Sequence, residues 1–183
     1  MIIIKSSDDL AHMRVSGQMA AEVLNEVARK VGPGVTTGEL DVLAADMIAA
    51  MGGKSAFYGY RGYPGHICVS VNEEVVHGIP GHRRIQMGDI VSLDVGVVYD
   101  GFVGDTARTV MVGVTDPEVI RLVHTGQRAL DVAVEAAVAG ARLSDVSHAI
   151  ETVAVDAGYS VVRDFVGHGV GRSMHEDPQI PNY

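Results

Sequence analysis

The residues that form the apolar face of the first segment, 7–31, recur at alternating intervals of three and four, the spacing of one side of an α-helix. Ser7 stands where an N-cap is expected, and Asp8 and Asp9 follow it in the first turn, where carboxylates are favourable. The stretch Gly32-Pro33-Gly34 predicts the end of this helix. The positions on the predicted face are Leu10, Met13, Gly17, Ala20, Leu24, Val27 and Val31.

A second helix and a group of strands follow. Thr36 and Glu39 have the spacing of a capping box, which predicts a helix that begins there and ends at Gly52-Gly53. Residues 66–71 and 90–112 are rich in Val and Ile and are interrupted by Gly and Asp. This composition predicts β-strands.

The remaining residues repeat this order. The stretch Asp-Pro-Glu at 116–118 predicts a helix start, because proline is well tolerated in the first turn, and that helix is expected to run to about Gly140. Ser144 is the predicted cap of a further helix that ends at Gly158. Residues 159–162, Tyr-Ser-Val-Val, are predicted to form a strand.

The repeated order indicates an internal duplication with an offset of 106 positions. We therefore expect one α+β domain over 1–183 with two pseudo-symmetric helix–helix–sheet halves, about 1–113 and 114–183. The strands that run to residue 112 have no counterpart before residue 183, so the second half is expected to be incomplete. The matching pairs are Gly34 and Gly140, Glu39 and Asp145, Leu40 and Val146, and Gly52 and Gly158.

Acidic residues interrupt the most apolar predicted strands. Asp100-Gly101 favours a two-residue hairpin turn, which sets Asp105 opposite Gly96 and places Asp94 on the same face. The two carboxylates are then diagonal neighbours, roughly 7–8 Å apart by Cα. One interpretation is that both acids lie on an exposed face or cap loops, as most aspartates do. The other is a divalent metal site, because two carboxylates in an apolar sheet repel each other unless a proton or a cation lies between them.

Histidines supply candidate nitrogen ligands for such a site. His77, His168 and His175 lie in Gly/Pro-rich segments that we expect to be loops, and glycines flank His168 on both sides. A single histidine of this kind is more often structural than a ligand, but three of them beside paired acids favour chemistry. The remaining histidines carry no such signal; they are His12, His66, His82, His124 and His148.

Composition narrows the functional class. The formal charge of −9 argues against direct binding of nucleic acid. Cys68 is the only cysteine, so no internal disulfide can form and a reducing compartment is expected. The apolar run before Lys5 is too short for a secretion signal, and no run reaches membrane-spanning length. These features predict a soluble, cytoplasmic protein without membrane contact.

Three stretches together resemble the bacterial-type methionine aminopeptidases of type I, which have the pita-bread (creatinase/aminopeptidase) fold. They are NEEVVHGIP at 72–80, SLDVGVVYDGFVGDTART at 92–109 and GHGVGRSMHEDPQ at 167–179. The resemblance begins at MRVSGQMAAEVL, residues 13–24, and extends to the end of the chain.

The resemblance implies a metal site made by Asp94, Asp105 and His168. Asp94 would chelate one ion, Asp105 would bridge two, and His168 would complete one coordination shell. Carboxylates with one imidazole suit Co, Mn, Fe or Zn and do not select among them. His77 would orient the peptide, and His175 would donate a hydrogen bond to the scissile carbonyl.

The resemblance also implies a substrate pocket. Tyr60, Tyr63 and Cys68 match the residues that receive the unbranched Met side chain, and Met174 stands where many relatives have Phe. Cys68 is equally compatible with a small buried hydrophobic residue. The implied reaction is removal of an N-terminal Met that precedes a small residue, from peptides or nascent chains, with the ribosome as a further candidate partner.

The end of the sequence departs from the family pattern. The family carries two Glu ligands beyond the stretch that matches Pro181-Asn182-Tyr183, so residues 1–183 are expected to be a fragment or a truncated homologue without measurable turnover alone.

Two interpretations compete with that of a methionine aminopeptidase. A non-catalytic pita-bread binding protein is the first alternative. An X-Pro peptidase-like hydrolase is the second, although the His-Gly-Ile-Pro stretch at 77–80 favours the methionine enzyme.

Overall fold

The first helix, α1 (Ser7–Lys30), begins one residue earlier than its predicted cap allows. The structure, a computed structural model, describes residues 1–183. Ser6, not Ser7, is the N-cap: its hydroxyl accepts a hydrogen bond from the Asp9 backbone N–H at 3.2 Å, and the Asp9 carboxylate accepts one from the Ser6 N–H at 3.0 Å. Either serine could cap the helix. The position of Asp9 decides between them, because a capping box needs an acid three residues after the N-cap. The helix ends before Gly32, as predicted.

The second helix, α2 (Thr37–Ala50), confirms the predicted capping box. The Thr36 hydroxyl accepts from the Glu39 N–H at 3.1 Å, and the Glu39 carboxylate accepts from the Thr36 N–H at 2.7 Å. The helix stops two residues before Gly52, which takes the left-handed φ of +78° that glycine tolerates.

A four-stranded antiparallel sheet follows. Its strands are β1 (Lys54–Ser55), β2 (Cys68–Val71), β3 (Ile90–Tyr99) and β4 (Phe102–Met111), with a short 3₁₀ turn at Tyr60–Gly62 between β1 and β2. β3 is the central strand, since β4 pairs with its whole length and both β1 and β2 pair with parts of it. The strands predicted at 66–71 and 90–112 are confirmed.

The main core lies where α1 and α2 cover one face of this sheet. Val91, Leu93, Val95 and Val97 of β3 are fully buried in it, and alternate residues of the strand point to the other face. Gly104 of β4 permits the close approach of α1, since a Cβ there would lie 2.2 Å from the Ser16 carbonyl oxygen. Burial of each of the four β3 side chains stabilises the fold by about 1.5–3 kcal/mol.

The chain forms two units. We call Ile3–Val114 together with Val170–His175 the sheet unit, which contains α1, α2 and β1–β4. We call Met1–Ile2, Thr115–Gly169 and Glu176–Tyr183 the helical unit. The helical unit contains α3 (Pro117–Ala136), α4 (Leu143–Asp156) and a hairpin of β5 (Gly167–Gly169) with β6 (Glu176–Ile180).

The helical unit corrects two predicted helix boundaries. α3 begins after Asp116 as predicted, but it ends at Ala136, and Gly140, with φ +91°, belongs to the turn into α4. Ser144 does not cap α4, because the helix begins one residue before it. The N-cap is Arg142, whose N–H donates to the Asp145 carboxylate at 3.1 Å. As at Ser6, the acid three residues on decides the start.

The prediction of a strand at 159–162 is wrong. Tyr159 forms hydrogen bonds with the helices α3 and α4 instead. Its N–H donates to the Ala154 carbonyl at 2.9 Å, and its hydroxyl donates to the Glu118 carbonyl at 3.3 Å. The Arg121 guanidinium lies 4.7 Å from the centre of its ring. The bond to Ala154 uses the Tyr159 backbone N–H, which a strand would need for pairing. None of the helices has the length and apolar character required to span a bilayer.

Candidate metal and peptide site

Two carboxylates lie on the sheet face opposite the helices. The β3–β4 register sets Gly96 opposite Asp105 and Asp94 opposite Ala107, without a bulge. Asp94 and Asp105 therefore project from one face, as the hairpin turn predicts. The register of β2 also places Cys68 beside Asp94.

The electrostatics of this pair differ from those of an exposed acid. Burial, reinforced by the charge of Asp105 and a hydrogen bond to it, raises the pKa of Asp94 from 3.8 to about 7. Two carboxylates this close are stable with a shared proton or with a cation between them. The hard oxygen donors suit a divalent metal ion, so the residues present fit the group. The interpretation of these acids as exposed or loop-capping residues is wrong.

Glycine at position 96 keeps the space beside Asp105 open to an aromatic ring. A Cβ at Gly96 would lie 2.5 Å from Cε1 of Phe57 and 3.0 Å from the Ala56 Cβ. Phe57 therefore packs across the strand next to the carboxylate pair. Sequence reasoning missed Phe57, because a lone aromatic residue in a loop carries no periodic or polar signal.

A small apolar cluster adjoins the carboxylates, and we call it the pocket cluster. It joins three predicted pocket residues, Tyr63, Cys68 and Met174, to others that were not predicted. Burial raises the pKa of the Cys68 thiol to about 11, so Cys68 is a neutral, small apolar group here. The buried members are Ala56, Phe57, Cys68, Val103 and Met174, with Tyr63, Val98 and Val170 packed against them.

Tyr63 links the pocket cluster to the loop that carries His77. Its hydroxyl lies 2.8 Å from the Gly78 carbonyl oxygen and 3.2 Å from that of Ile67. Burial raises the pKa of Tyr63 above its usual value, so this hydroxyl keeps its proton as a donor. His77 itself is exposed and has a left-handed φ of +61°, which is uncommon outside glycine.

The structure also brings Tyr60 and His175 together. The Tyr60 hydroxyl lies 3.0 Å from Nδ1 of His175, and the two rings stack at 5.5 Å between centres and 16° between planes. If Tyr60 donates to Nδ1, the proton of a neutral His175 is on Nε2. A neutral imidazole in that tautomer presents a hydrogen-bond donor at Nε2.

His168 lies on β5, where it pairs with Gln179, and not in a loop as expected. Its Nδ1 is 2.9 Å from the Gly169 carbonyl oxygen, which can only accept. Nδ1 therefore donates to this carbonyl, and in a neutral imidazole that leaves the lone pair on Nε2, the form in which histidine binds metals. His168 belongs to the helical unit. The structure contains no group of three or more His, Cys, Asp or Glu side chains that could hold a metal ion, so Asp94 and Asp105 are the predicted ligands it brings together.

Known proteins match the whole chain. The model of metallopeptidase family M24 matches residues 11–183. The methionine aminopeptidase of Clostridium acetobutylicum is 46% identical over 184 residues, which is 100% of this chain and 74% of that protein. Methionine aminopeptidase 1 of Bacillus subtilis is 45% identical over 183 residues, with the same coverage of 100% and 74%.

Solved structures give the same result at the level of the fold. A methionine aminopeptidase from Thermotoga maritima superposes with a TM-score of 0.98 at 46% identity, over 100% of this chain and 74% of that one. A prolidase from Pyrococcus furiosus has a TM-score of 0.86 at 24% identity, over 99% of this chain and 52% of that one, and shows the fold alone. The predicted pita-bread fold of the α+β class is confirmed. From the family match and these identities, the chain belongs to the M24 metallopeptidases.

Proposed function

We propose that this protein is a methionine aminopeptidase, which removes the N-terminal Met from peptides and nascent proteins and prefers a small second residue. The observation that carries the proposal is the partly buried pair Asp94 and Asp105, which the pocket cluster adjoins. A cation site beside an apolar pocket suits a peptide with a free amino group and an unbranched apolar side chain. The names of its relatives support the same activity.

In this proposal Asp94, Asp105 and His168 hold divalent metal, two ions in the full site. Carboxylates and an imidazole suit Co, Mn, Fe or Zn and leave the choice among them open. Bound metal supplies a Lewis acid and lowers the pKa of a coordinated water.

The pocket residues set the choice of the first residue. Cys68 and Met174 are buried in the pocket cluster, and Phe57 closes it beside Asp105. In this proposal the apolar, partly sulfur-containing lining of the pocket cluster favours the flexible thioether chain of Met over a charged side chain. Tyr60 and Tyr63 border the pocket through their contacts with His175 and the Gly78 carbonyl.

The two substrate-side histidines have separate tasks. With Nδ1 bound by Tyr60, His175 directs its Nε2–H at the carbonyl oxygen that gains charge during attack. Loss of one such donor typically costs on the order of 10²–10³ in rate. His77, exposed in its loop next to the Gly78 carbonyl that Tyr63 holds, orients the incoming peptide.

The proposed setting is the cytoplasm, with the ribosome as the source of nascent chains. The single, buried Cys68 suits a reducing compartment. The negative formal charge of −9 means that recognition of a nascent chain has to go through the polypeptide and not through RNA.

Peptide binding tests the proposal directly. We would measure the affinity of the Mn²⁺-loaded protein for Met-Ala-Ser, Ala-Ala-Ser and Ala-Pro-Ser by calorimetry, in the wild type and in Cys68→Phe. We expect Met-Ala-Ser to bind most tightly and Cys68→Phe to remove that preference by filling the pocket cluster. The matched control is Val42→Phe, at an exposed position of α2, which should keep the preference. Tightest binding of Ala-Pro-Ser would instead support an X-Pro peptidase, and no preference at all would support a different ligand.

A further inference from the structure

The segment Val170–His175 carries two of the proposed substrate residues and belongs to the sheet unit, although its neighbours in the chain belong to the helical unit. The Gly171 carbonyl accepts a hydrogen bond from the Val103 N–H at 2.8 Å. Met174 is buried in the pocket cluster, and His175 lies against Tyr60. The position of this short segment therefore decides where both substrate residues lie.

Arg172, in the same segment, contacts two residues that are not among the proposed site residues. Its guanidinium is 3.0 Å from the Asp9 carboxylate, in the first turn of α1. The same group lies 4.2 Å from the centre of the Phe102 ring, at the start of β4. Arg172 thus contacts a helix and a strand of the sheet unit at once.

These two contacts are independent of the pocket cluster. The Arg172 side chain is 68% exposed, and an exposed ion pair alone holds a segment weakly. Stacking on the rigid Phe102 ring, which is 2% exposed, adds a second contact that needs the planar guanidinium. Together they fix the residue next to Gly171, two positions before Met174 and three before His175.

We propose that Arg172 is a positioning residue, whose contacts with Asp9 and Phe102 hold Val170–His175 so that His175 stays bonded to Tyr60 and Met174 stays in the pocket cluster. This inference rests on the proposed function for its effect on substrate. The effect of Arg172 on His175 does not depend on the proposed function, because it can be measured without substrate. A merely structural surface contact would change stability and leave the state of His175 as it is.

The test compares Arg172→Ala, which loses both contacts, with Arg172→Lys, which keeps the charge near Asp9 but loses planar stacking. The matched control is Arg29→Ala, which removes another exposed arginine of the sheet unit, paired with Glu26 at 2.8 Å. For each variant we would record the ¹⁵N signals of the His175 imidazole in the metal-free protein, and the affinity for Met-Ala-Ser in the Mn²⁺-loaded protein. Thermal unfolding of each variant gives the global stability.

We expect Arg172→Ala to move the His175 signals from one tautomer to an average of two, and to weaken Met-Ala-Ser binding roughly three- to tenfold, the scale of losing both exposed contacts. Arg172→Lys should recover part of both effects, and Arg29→Ala should show neither. His175 signals in Arg172→Ala that match those of Arg29→Ala would overturn the inference. If wild-type protein bound no Met-peptide, the proposed function would fail, and the His175 signals would still decide the role of Arg172.

Discussion

The helices α2 and α4 have the same length and the same ends, 106 positions apart, but they lie in very different surroundings. Each has fourteen residues and an acid at its third position that accepts from the N-cap N–H. Each is preceded and followed by a glycine with positive φ. Those glycines are Gly34 at +89° and Gly52 at +78° for α2, and Gly140 at +91° and Gly158 at +82° for α4.

The difference lies in what the two helices bury. α2 buries Leu40, Ala44 and Ile48 within the core of the sheet unit, whereas α4 buries only Val146 and Ser147. The sheet unit has four strands and the helical unit has two short ones. Local sequence thus determines where a helix begins and ends, and the core that the helix packs against determines how much of it is buried. The large apolar side chains that remain exposed on α3, α4 and the turn between them are Leu122, Leu130, Val134, Val138, Leu143 and Val155.

The largest expected effect comes from the matched core positions Leu40 and Val146. Leu40 is 1% exposed inside the main core and Val146 is 9% exposed. We expect Leu40→Ala to destabilise the sheet unit by about 3 kcal/mol, since it leaves a cavity, and Val146→Ala to destabilise the helical unit by about 1 kcal/mol. Amide hydrogen exchange of α2 and α4 measures the two separately. Equal losses per deleted methyl group would contradict the difference in burial.

A pH effect is the next largest, and it belongs to the sheet unit alone. Asp94 has a folded pKa of about 7 and an unfolded pKa near 3.8, so the folded protein binds the extra proton between these values. Stability of the metal-free protein should therefore fall as pH rises from about 4 to 7. At about 1.4 kcal/mol per pKa unit and with partial solvent access, we expect a total of about 2 kcal/mol.

Substitution of Asp94 checks the cause of this slope. Asp94→Asn should flatten the stability of β3 amides between pH 4 and 7, and Asp46→Asn, at an exposed position of α2, should leave the slope in place. α4 amides should show no such slope in any variant. A slope that survives in Asp94→Asn would assign the effect to other groups.

The smallest effect concerns the two helix caps. Thr36 has a hydroxyl that accepts from the Glu39 N–H, and Arg142 has no acceptor in its side chain. Thr36→Ala should cost about 1 kcal/mol, and Arg142→Ala should cost almost nothing. Arg142→Thr should instead stabilise α4, by up to about 1 kcal/mol, because it completes the capping box. Circular dichroism melting with amide exchange of each first turn measures these changes.

Local features of the fold could be predicted from sequence because they depend on neighbouring residues. The Thr36–Glu39 box and the Asp100-Gly101 hairpin are correct for this reason, and the hairpin places Asp94 beside Asp105. Ser7 and Ser144 are wrong as caps because the helices are capped at Ser6 and Arg142, each three residues before the acid that accepts from the cap N–H. The choice between neighbours depends on the acid that closes the box.

Features that depend on distant residues could not be predicted from spacing. Residues 159–162 have strand composition, but Tyr159 bonds to Ala154 and Glu118 instead of to a partner strand. His168 lies on β5 because Gln179 pairs with it from β6. Phe57 and Arg172 were missed because their contacts join segments far apart in sequence.

The central claim is that Asp94 and Asp105 form a metal site, and a titration with Mn²⁺ tests it most directly. We would compare the wild type with Asp105→Asn and with Asp100→Asn, an exposed turn position whose positive φ asparagine tolerates. Since outer-shell changes alone cost 10–100-fold in affinity, loss of a ligand should cost at least about 100-fold. We predict that loss in Asp105→Asn and near-wild-type affinity in Asp100→Asn. Equal Mn²⁺ affinity in the two variants would contradict the account.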